Sequence, residues 1–160
     1  MKKLIFITTT LIFLFSCGNS NSPGPKTFNS SAISIFTQAN KILDDFDAKI
    51  TAAVKGNNVE SLSAEADQAL LKVDEQIEKM KAINAPEHGE EYKEAVLSSL
   101  EKLKSIVETG KKYSELKEGY SKKEFNALEK EYNNKRKDLS QQLSKVAKVQ
   151  ADFAKKTGKK

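Results

Sequence analysis

The sequence predicts an all-α protein, an antiparallel up-down-up-down four-helix bundle that follows a cleaved signal peptide and a flexible tether. Apolar residues recur at alternating intervals of three and four in four successive segments, which is the period of an amphipathic helix. Short stretches rich in Gly, Asn or Pro separate these segments, and such connections make neighbouring helices run antiparallel. No segment alternates between apolar and polar residues for long enough to predict a strand.

Four helices make up one domain that we expect at 30–157, followed by a basic tail at 158–160. The alternative architecture is an extended helical hairpin that completes its apolar core by dimerising, so both a monomer and a dimer stay open. The predicted helices cover residues 30–55, 58–84, 87–118 and 121–157.

The breaks between the helices have recognisable signals. Asn57 and Glu60 have the spacing of a capping box at the start of the second helix, and Ser121 and Glu124 have it at the start of the fourth. Gly110 is the weak point of the third helix, because Gly in a helix interior costs about 1 kcal/mol. We expect it to kink that helix or to stop it early.

The first sixteen residues have the organisation of a signal peptide. Lys2 and Lys3 supply positive charge, and an apolar run with three threonines extends from Leu4 to Phe15. A helix of this length is too short to cross the ~30 Å of hydrocarbon in a bilayer. We therefore interpret 1–16 as a signal peptide that is removed on export.

The residues Leu14-Phe15-Ser16-Cys17 resemble the bacterial lipobox, in which Leu and a small residue precede an obligatory Cys. The resemblance implies that the Cys17 thiol receives a diacylglyceryl group, that cleavage occurs before it, and that fatty acid acylates the new amino group. Cys17 is the only cysteine, so no disulfide competes for it. The alternative is an accidental thiol in an ordinary signal or transmembrane sequence.

Lipid on Cys17 predicts where the protein works. Two or three acyl chains exceed the single chain that gives only marginal, reversible membrane binding, so we expect attachment to the non-cytoplasmic side of a bacterial membrane. The outer membrane or cell surface is expected rather than the inner membrane. Residues 17–29 are mostly Gly, Ser, Asn and Pro and predict a flexible tether with a reach of roughly 20 Å.

The layout of lipobox, polar tether and four helices resembles a family of small, uncharacterised bacterial surface lipoproteins. The segment Gln150-Ala151-Asp152-Phe153-Ala154-Lys155-Lys156 has that family's terminal pattern, Gln-x-x-Phe-Ala-Lys-Lys. The chain departs from the family's more apolar ending at Thr157-Gly158-Lys159-Lys160. The resemblance implies a location and a fold, and it brings no activity, substrate or catalytic residue.

Positive charge is concentrated in the last predicted helix and tail, where residues 122–160 hold twelve Lys and Arg against five acidic residues. We interpret this helix first as the complement of its more acidic neighbours. The alternative is contact with an anionic surface, such as lipid headgroups or an acidic envelope polymer. Nucleic acid is not expected as a partner, because the chain is exported and no aromatic residues interleave with the lysines. The candidate contact residues are Lys145, Lys148, Lys155, Lys156, Lys159 and Lys160.

Lys135 and Arg136 stand where the apolar stripe of the fourth helix should continue between Tyr132 and Leu139. Long basic side chains usually extend out of such a stripe into water, and we expect that here. The alternative is a buried ion pair, which would mark a polar ligand position in the core. Its acidic partner would be Asp44, Asp45, Asp47, Asp74 or Glu75.

The sequence holds no catalytic motif and no metal-ligand set, and its single histidine, His88, lies in a turn where we expect it to be exposed. We therefore expect neither an enzyme nor a cofactor beyond the lipid on Cys17. The leading hypothesis is a membrane-anchored, non-enzymatic interaction or structural module that contacts another envelope or surface protein. The alternative is a carrier or sensor that binds a small ligand or metal within the bundle, near Lys135 and Arg136.

Overall fold

Four α-helices pack against one another in the computed structural model, which describes residues 22–116 and 119–158. α3 packs against each of the other three helices. The backbones of α1 and α4 are close to each other over a shorter stretch than those of α3 and its neighbours. No strand occurs in the described ranges, so the all-α prediction is confirmed there. The helices are α1 (Pro25–Lys55), α2 (Leu62–Ala82), α3 (Glu90–Lys111) and α4 (Lys122–Thr157), with 3-10 segments at Val59–Ser61 and Lys112–Glu115.

α1 begins at Pro25, ahead of the predicted start at residue 30. Proline suits the first turn of a helix, because its fixed φ is helical and its missing N–H needs no partner there. Phe28 is fully buried, and burial of a Phe side chain stabilises the folded state by roughly 1.5–3 kcal/mol. The C-terminal part of the predicted tether is therefore the first turn of the helical body.

The connection from α1 to α2 differs from the predicted capping box. Asn57 has a left-handed φ of 51°, and its N–H bonds to the carbonyl of Val54 at 3.3 Å, while the N–H of Asn58 bonds to that of Ala53 at 2.9 Å. This is the Schellman pattern, which satisfies the last carbonyls of a helix. The backbone of Asn57 therefore ends α1, and the 3-10 segment starts without a side-chain cap.

The capping box at the start of α4 is confirmed. The N–H of Glu124 donates to Ser121 Oγ at 3.2 Å, and the N–H of Ser121 donates to Glu124 Oε2 at 2.8 Å. The Ser121 hydroxyl also donates to Glu124 Oε2 at 2.7 Å, and this bond, with the one from the Ser121 N–H, favours the carboxylate and holds the pKa of Glu124 below its usual value. Two backbone N–H groups at the start of α4 thereby acquire partners.

α3 ends at Lys111, immediately after Gly110, and the chain continues as a 3-10 turn. Gly110 is buried, and its backbone faces the ring of Phe46 in α1. The glycine therefore permits a close helix–helix approach near the end of α3, which accounts for its place in the sequence.

The core shared by the four helices is almost entirely apolar. Leu43, Val73, Leu100 and Leu103 are among its buried side chains. Ser99 and Thr109 are buried as well, and each hydroxyl donates at 2.9 Å to a carbonyl of its own helix, which removes most of the penalty for burying a polar group. α4 contributes fewer buried residues than its length allows: Leu128, Tyr132, Leu139, Gln142 and Phe153.

Candidate functional site

A polar cluster joins α1 to α4 at the place where the apolar stripe of α4 is interrupted. The Tyr132 hydroxyl donates to Oδ1 of Asp47, and the Arg136 guanidinium donates to Oδ2 of the same carboxylate. Of the acidic residues that the sequence allowed as partners, the structure selects Asp47. Asp47 directly follows buried Phe46 and lies one turn after buried Leu43.

Arg136 and Asp47 form an ion pair that is neither fully buried nor fully exposed. The Arg136 side chain is 40% exposed and the Asp47 side chain 28%. The expectation that Arg136 extends freely into water is therefore not met, because the guanidinium is held against α1. An ion pair of this exposure contributes about 1 kcal/mol or less to the stability of the fold.

Lys135 points about 100° away from Arg136 around α4 and reaches α3. Its ammonium donates to the Ser105 hydroxyl at 2.6 Å. Farther along α4, the amide of Gln142 donates to the carbonyl of Ala95 in α3 at 3.3 Å. Adjacent residues 135 and 136 thus bridge α4 to two different helices, since successive side chains on a helix point about 100° apart.

Burial governs the chemistry of the tyrosines in this region. Removal from water raises the pKa of Tyr132 well above its usual value, with a smaller contribution from Tyr113. Burial also raises the pKa of Tyr113 to about 12, and the nearby carboxylate of Glu129 adds to the effect. Both phenols are therefore neutral at physiological pH and unsuited to act as phenolate nucleophiles.

Aromatic residues close the core at both ends of the helical body. Near the start of α1, the Phe28 ring packs edge-on against Tyr92 and Phe153, with centroid distances of 5.7 and 5.6 Å. At the other end, Tyr113 contacts Phe125 and Tyr132 at 5.8 and 6.1 Å. The three edge-to-face pairs, which exclude the tilted Tyr113–Phe125 pair, add roughly 0.5–1.5 kcal/mol each beyond their buried area.

The predicted anionic-surface lysines that the structure describes are all exposed: Lys145, Lys148, Lys155 and Lys156. Lys155 lies 3.8 Å from Asp152, one turn earlier on the same helix. Lys159 and Lys160 lie outside the described residues, as do Cys17, the predicted signal peptide and the start of the tether. These parts of the sequence prediction stay predictions.

The described surface offers grooves and no metal-ligand cluster. A groove of about 400 Å³ runs between α1 and α2, where Phe46 and Ala69 lie beneath the charged side chains of Lys49 and Glu65. These two charges form an ion pair at 3.1 Å. His88 is half-exposed and lies 3.5 Å from Glu87, and no group of three potential metal ligands occurs among the described residues. In the same residues, no helix has the length and apolarity needed to cross a bilayer.

Sequence reasoning missed Ser105 and the polar role of Tyr132. Tyr132 fits the apolar stripe, so its spacing predicts packing and gives no sign of the bond to Asp47. Ser105 is one of several serines on α3 with nothing local to distinguish it. No family model, curated protein or solved structure matches this chain.

Proposed function

We propose that the protein is a bacterial envelope lipoprotein, anchored by lipid on Cys17, whose helical body is a non-enzymatic interaction or structural module. One observation carries the second half of this proposal. The polar side chains between α1 and α4 bond to one another: both carboxylate oxygens of Asp47 accept hydrogen bonds, one from Tyr132 and one from Arg136. Such a cluster joins helices, and it leaves the exposed helix faces as the surface for a partner.

We further infer that the four helices form an up-down-up-down bundle. Contacts between opposite ends of neighbouring helices support this arrangement. The end of α1 pairs with the start of α2 through Lys49 and Glu65, and the end of α3 pairs with the start of α2 through Lys111 and Asp67 at 2.6 Å. A long body of this kind presents extended faces above a membrane, which suits a module that binds another envelope or surface protein.

The anchor is tested by fractionation of the native host with two variants. Wild-type protein and the control Ser20→Ala should partition with membranes and give a mature mass that includes acyl chains on Cys17. Cys17→Ala should leave the membrane fraction while keeping the same helical circular dichroism. An intact leader, or a first residue other than acylated Cys17, would contradict the anchor.

The interaction role is tested by crosslinking in intact cells. Wild-type protein should form a discrete adduct with another envelope protein, and Cys17→Ala should form less of it because the anchor is lost. Turnover of a substrate by the purified protein, abolished by a single substitution, would contradict a non-enzymatic role.

A carrier or sensor of a small ligand is the alternative, and one observation favours it. Arg136 remains 40% exposed while it holds Asp47, so an anionic ligand has access to a charged group at the helix boundary. Such a ligand should raise the melting temperature of the wild type, and Arg136→Gln should remove the increase. Equal increases in both proteins would contradict a ligand site at Arg136.

A further inference from the structure

Five lysines form a straight row along the solvent face of α4. They are separated by seven or eleven residues, intervals close to whole helical turns, which keeps them within about 40° of one another around the axis. All five are exposed, on the side of α4 opposite the buried Leu128, Leu139 and Phe153. We call these residues the lysine row: Lys123, Lys130, Lys137, Lys148 and Lys155.

The lysine row carries positive charge with little compensation. Asn, Gln, Ser and Ala lie between its members on the same face, and the acidic residues next in sequence to Lys123, Lys130 and Lys137 turn about 100° away from it. Asp152 lies at the edge of the face, 3.8 Å from Lys155. The other four lysines form no ion pair with any described residue. Arg136 pairs with Asp47, so its charge complements an acidic residue of a neighbouring helix. That explanation does not account for the charges of the lysine row.

The row includes only part of the lysine set predicted from the sequence. Lys148 and Lys155 belong to it, whereas Lys145 and Lys156 lie about 60–80° around the helix, toward α3. The row also extends much farther toward the start of α4 than that set. From Lys123 to Lys155 it spans about 48 Å at 1.5 Å per residue.

One end of the row lies beside the start of α1. Phe153 packs on Phe28 with ring centroids 5.6 Å apart, and the Gln150 amide donates to the Asn29 side chain at 2.8 Å. Cys17 stands eight residues before the first residue of α1, and eight extended residues span at most about 28 Å. A lipid on Cys17 would therefore hold this end of the row close to the bilayer.

We propose that the lysine row is a second membrane contact, which lies along the anionic headgroups of the membrane that holds the Cys17 lipid and turns the bundle onto its side. The inference rests on the proposed anchor for the identity of that membrane. A straight row of evenly oriented charges fits a flat anionic plane, and the tether keeps the two surfaces at high effective concentration. Lysines near an anionic bilayer each strengthen binding by about fivefold.

Lysine footprinting of the lipidated protein tests the contact in place. The protein is reconstituted on vesicles of phosphatidylcholine, with or without phosphatidylglycerol, and exposed amines are acylated and located by mass spectrometry. The row lysines should be protected from acylation only on the phosphatidylglycerol vesicles. They should regain reactivity at 1 M salt, where the Debye length is about 3 Å and the attraction to the headgroups is screened. Exposed lysines on α1 and α2 serve as controls and should stay reactive: Lys41, Lys72 and Lys79.

Matched variants measure the strength of the contact without the anchor. In the mature chain 17–160 carrying Cys17→Ser, the triple change Lys130→Gln, Lys137→Gln and Lys148→Gln should weaken binding to phosphatidylglycerol vesicles roughly a hundredfold. The control triple removes the same charge from other helices and should change binding less than about twofold. It combines Lys41→Gln, Lys72→Gln and Lys79→Gln.

The outcomes separate this inference from the proposed function. Failure of the lipidated protein to remain on neutral vesicles contradicts the anchor. The membrane contact of the lysine row is then tested by the binding of the Cys17→Ser chain to phosphatidylglycerol vesicles. Equal protection of the row on neutral and anionic vesicles, or equal effects of the two triples, would overturn the membrane contact. Binding to soluble polyglutamate without binding to anionic vesicles would also overturn it, in favour of an acidic polymer.

Discussion

The ring of Phe46 in α1 lies directly against the backbone of Gly110 in α3. A β-carbon built on residue 110 would stand 2.5 Å from Cε1 of Phe46 and 3.0 Å from Cδ1 of Ile50. Since Phe46 is buried at 2% exposure, its ring has little room to withdraw. The lack of a side chain at Gly110 therefore sets how closely α1 and α3 approach.

Gly110→Ala should lower the free energy of unfolding by about 1–2 kcal/mol. The added methyl overpacks the contact with Phe46, which typically costs 1–3 kcal/mol, and the better helix propensity of Ala returns up to about 1 kcal/mol. Urea unfolding measures the change as a lower midpoint at constant slope. In a Phe46→Leu background the same substitution should cost less, and an equal cost in both backgrounds would place the strain elsewhere.

Tyr132→Phe should lower the free energy of unfolding by about 1 kcal/mol, because Asp47 loses a hydrogen bond while keeping Arg136 and partial access to water. A double-mutant cycle with Asp47→Ala isolates the pair, because alanine offers the hydroxyl no acceptor. The coupling between the two changes should account for most of the single-mutant loss. Additive effects would show that the hydroxyl contributes nothing through Asp47.

Gln76→Leu should raise the free energy of unfolding by about 1 kcal/mol. Oε1 of Gln76 is buried without a hydrogen-bond partner among the described residues, and an unsatisfied buried acceptor costs roughly 1–3 kcal/mol. Leucine keeps a similar volume and removes the polar atoms. Thermal unfolding followed by circular dichroism gives the shift, with exposed Gln141→Leu as the control. A lower melting temperature for Gln76→Leu would reveal a partner for the amide.

Alkaline pH should destabilise the protein partly through Tyr113. Burial and Glu129 raise its folded pKa to about 12, whereas an unfolded tyrosine ionises near pH 10. Above about pH 10 the folded state therefore holds more protons than the unfolded state, so this contribution to stability is complete below pH 10 and is lost as pH rises toward 12.

Urea unfolding of wild type and Tyr113→Phe between pH 9 and about pH 11.5 checks this effect, because the lysine titrations are common to both chains. The free energy of unfolding should fall less steeply with pH in the variant. Parallel curves would mean that Tyr113 ionises alike in the folded and unfolded states.

The helical segments were predictable because their signals are local. Residues such as Leu43 and Phe46 recur at helical intervals, and Ser121 with Glu124 form a cap within four residues. The sequence predicts that Phe28 belongs to the tether, because the residues around it are polar. The rings that bury it, Tyr92 and Phe153, come from distant parts of the chain.

The spacing of apolar residues does not predict which side chains Lys135 and Arg136 contact. Periodicity places both residues where the apolar stripe of α4 should continue. Several acidic residues on α1 and α2 have positions that would allow them to pair with Lys135 or Arg136. The choice of Asp47 follows from the rotation and register of α1 against α4, which are set by packing along the whole helix. Asn57 illustrates the same limit, since its side chain suits a helix start while its left-handed backbone ends α1.

The contact between Phe28 and Phe153 makes the first and last turns of the helical body immediate neighbours in space. A linker of a few residues would therefore suffice to splice residue 157 to residue 25, and the polypeptide could be reopened at the exposed loop that contains Asn57. Such a circular permutant would keep every helix–helix contact while moving its free ends to the opposite pole of the molecule.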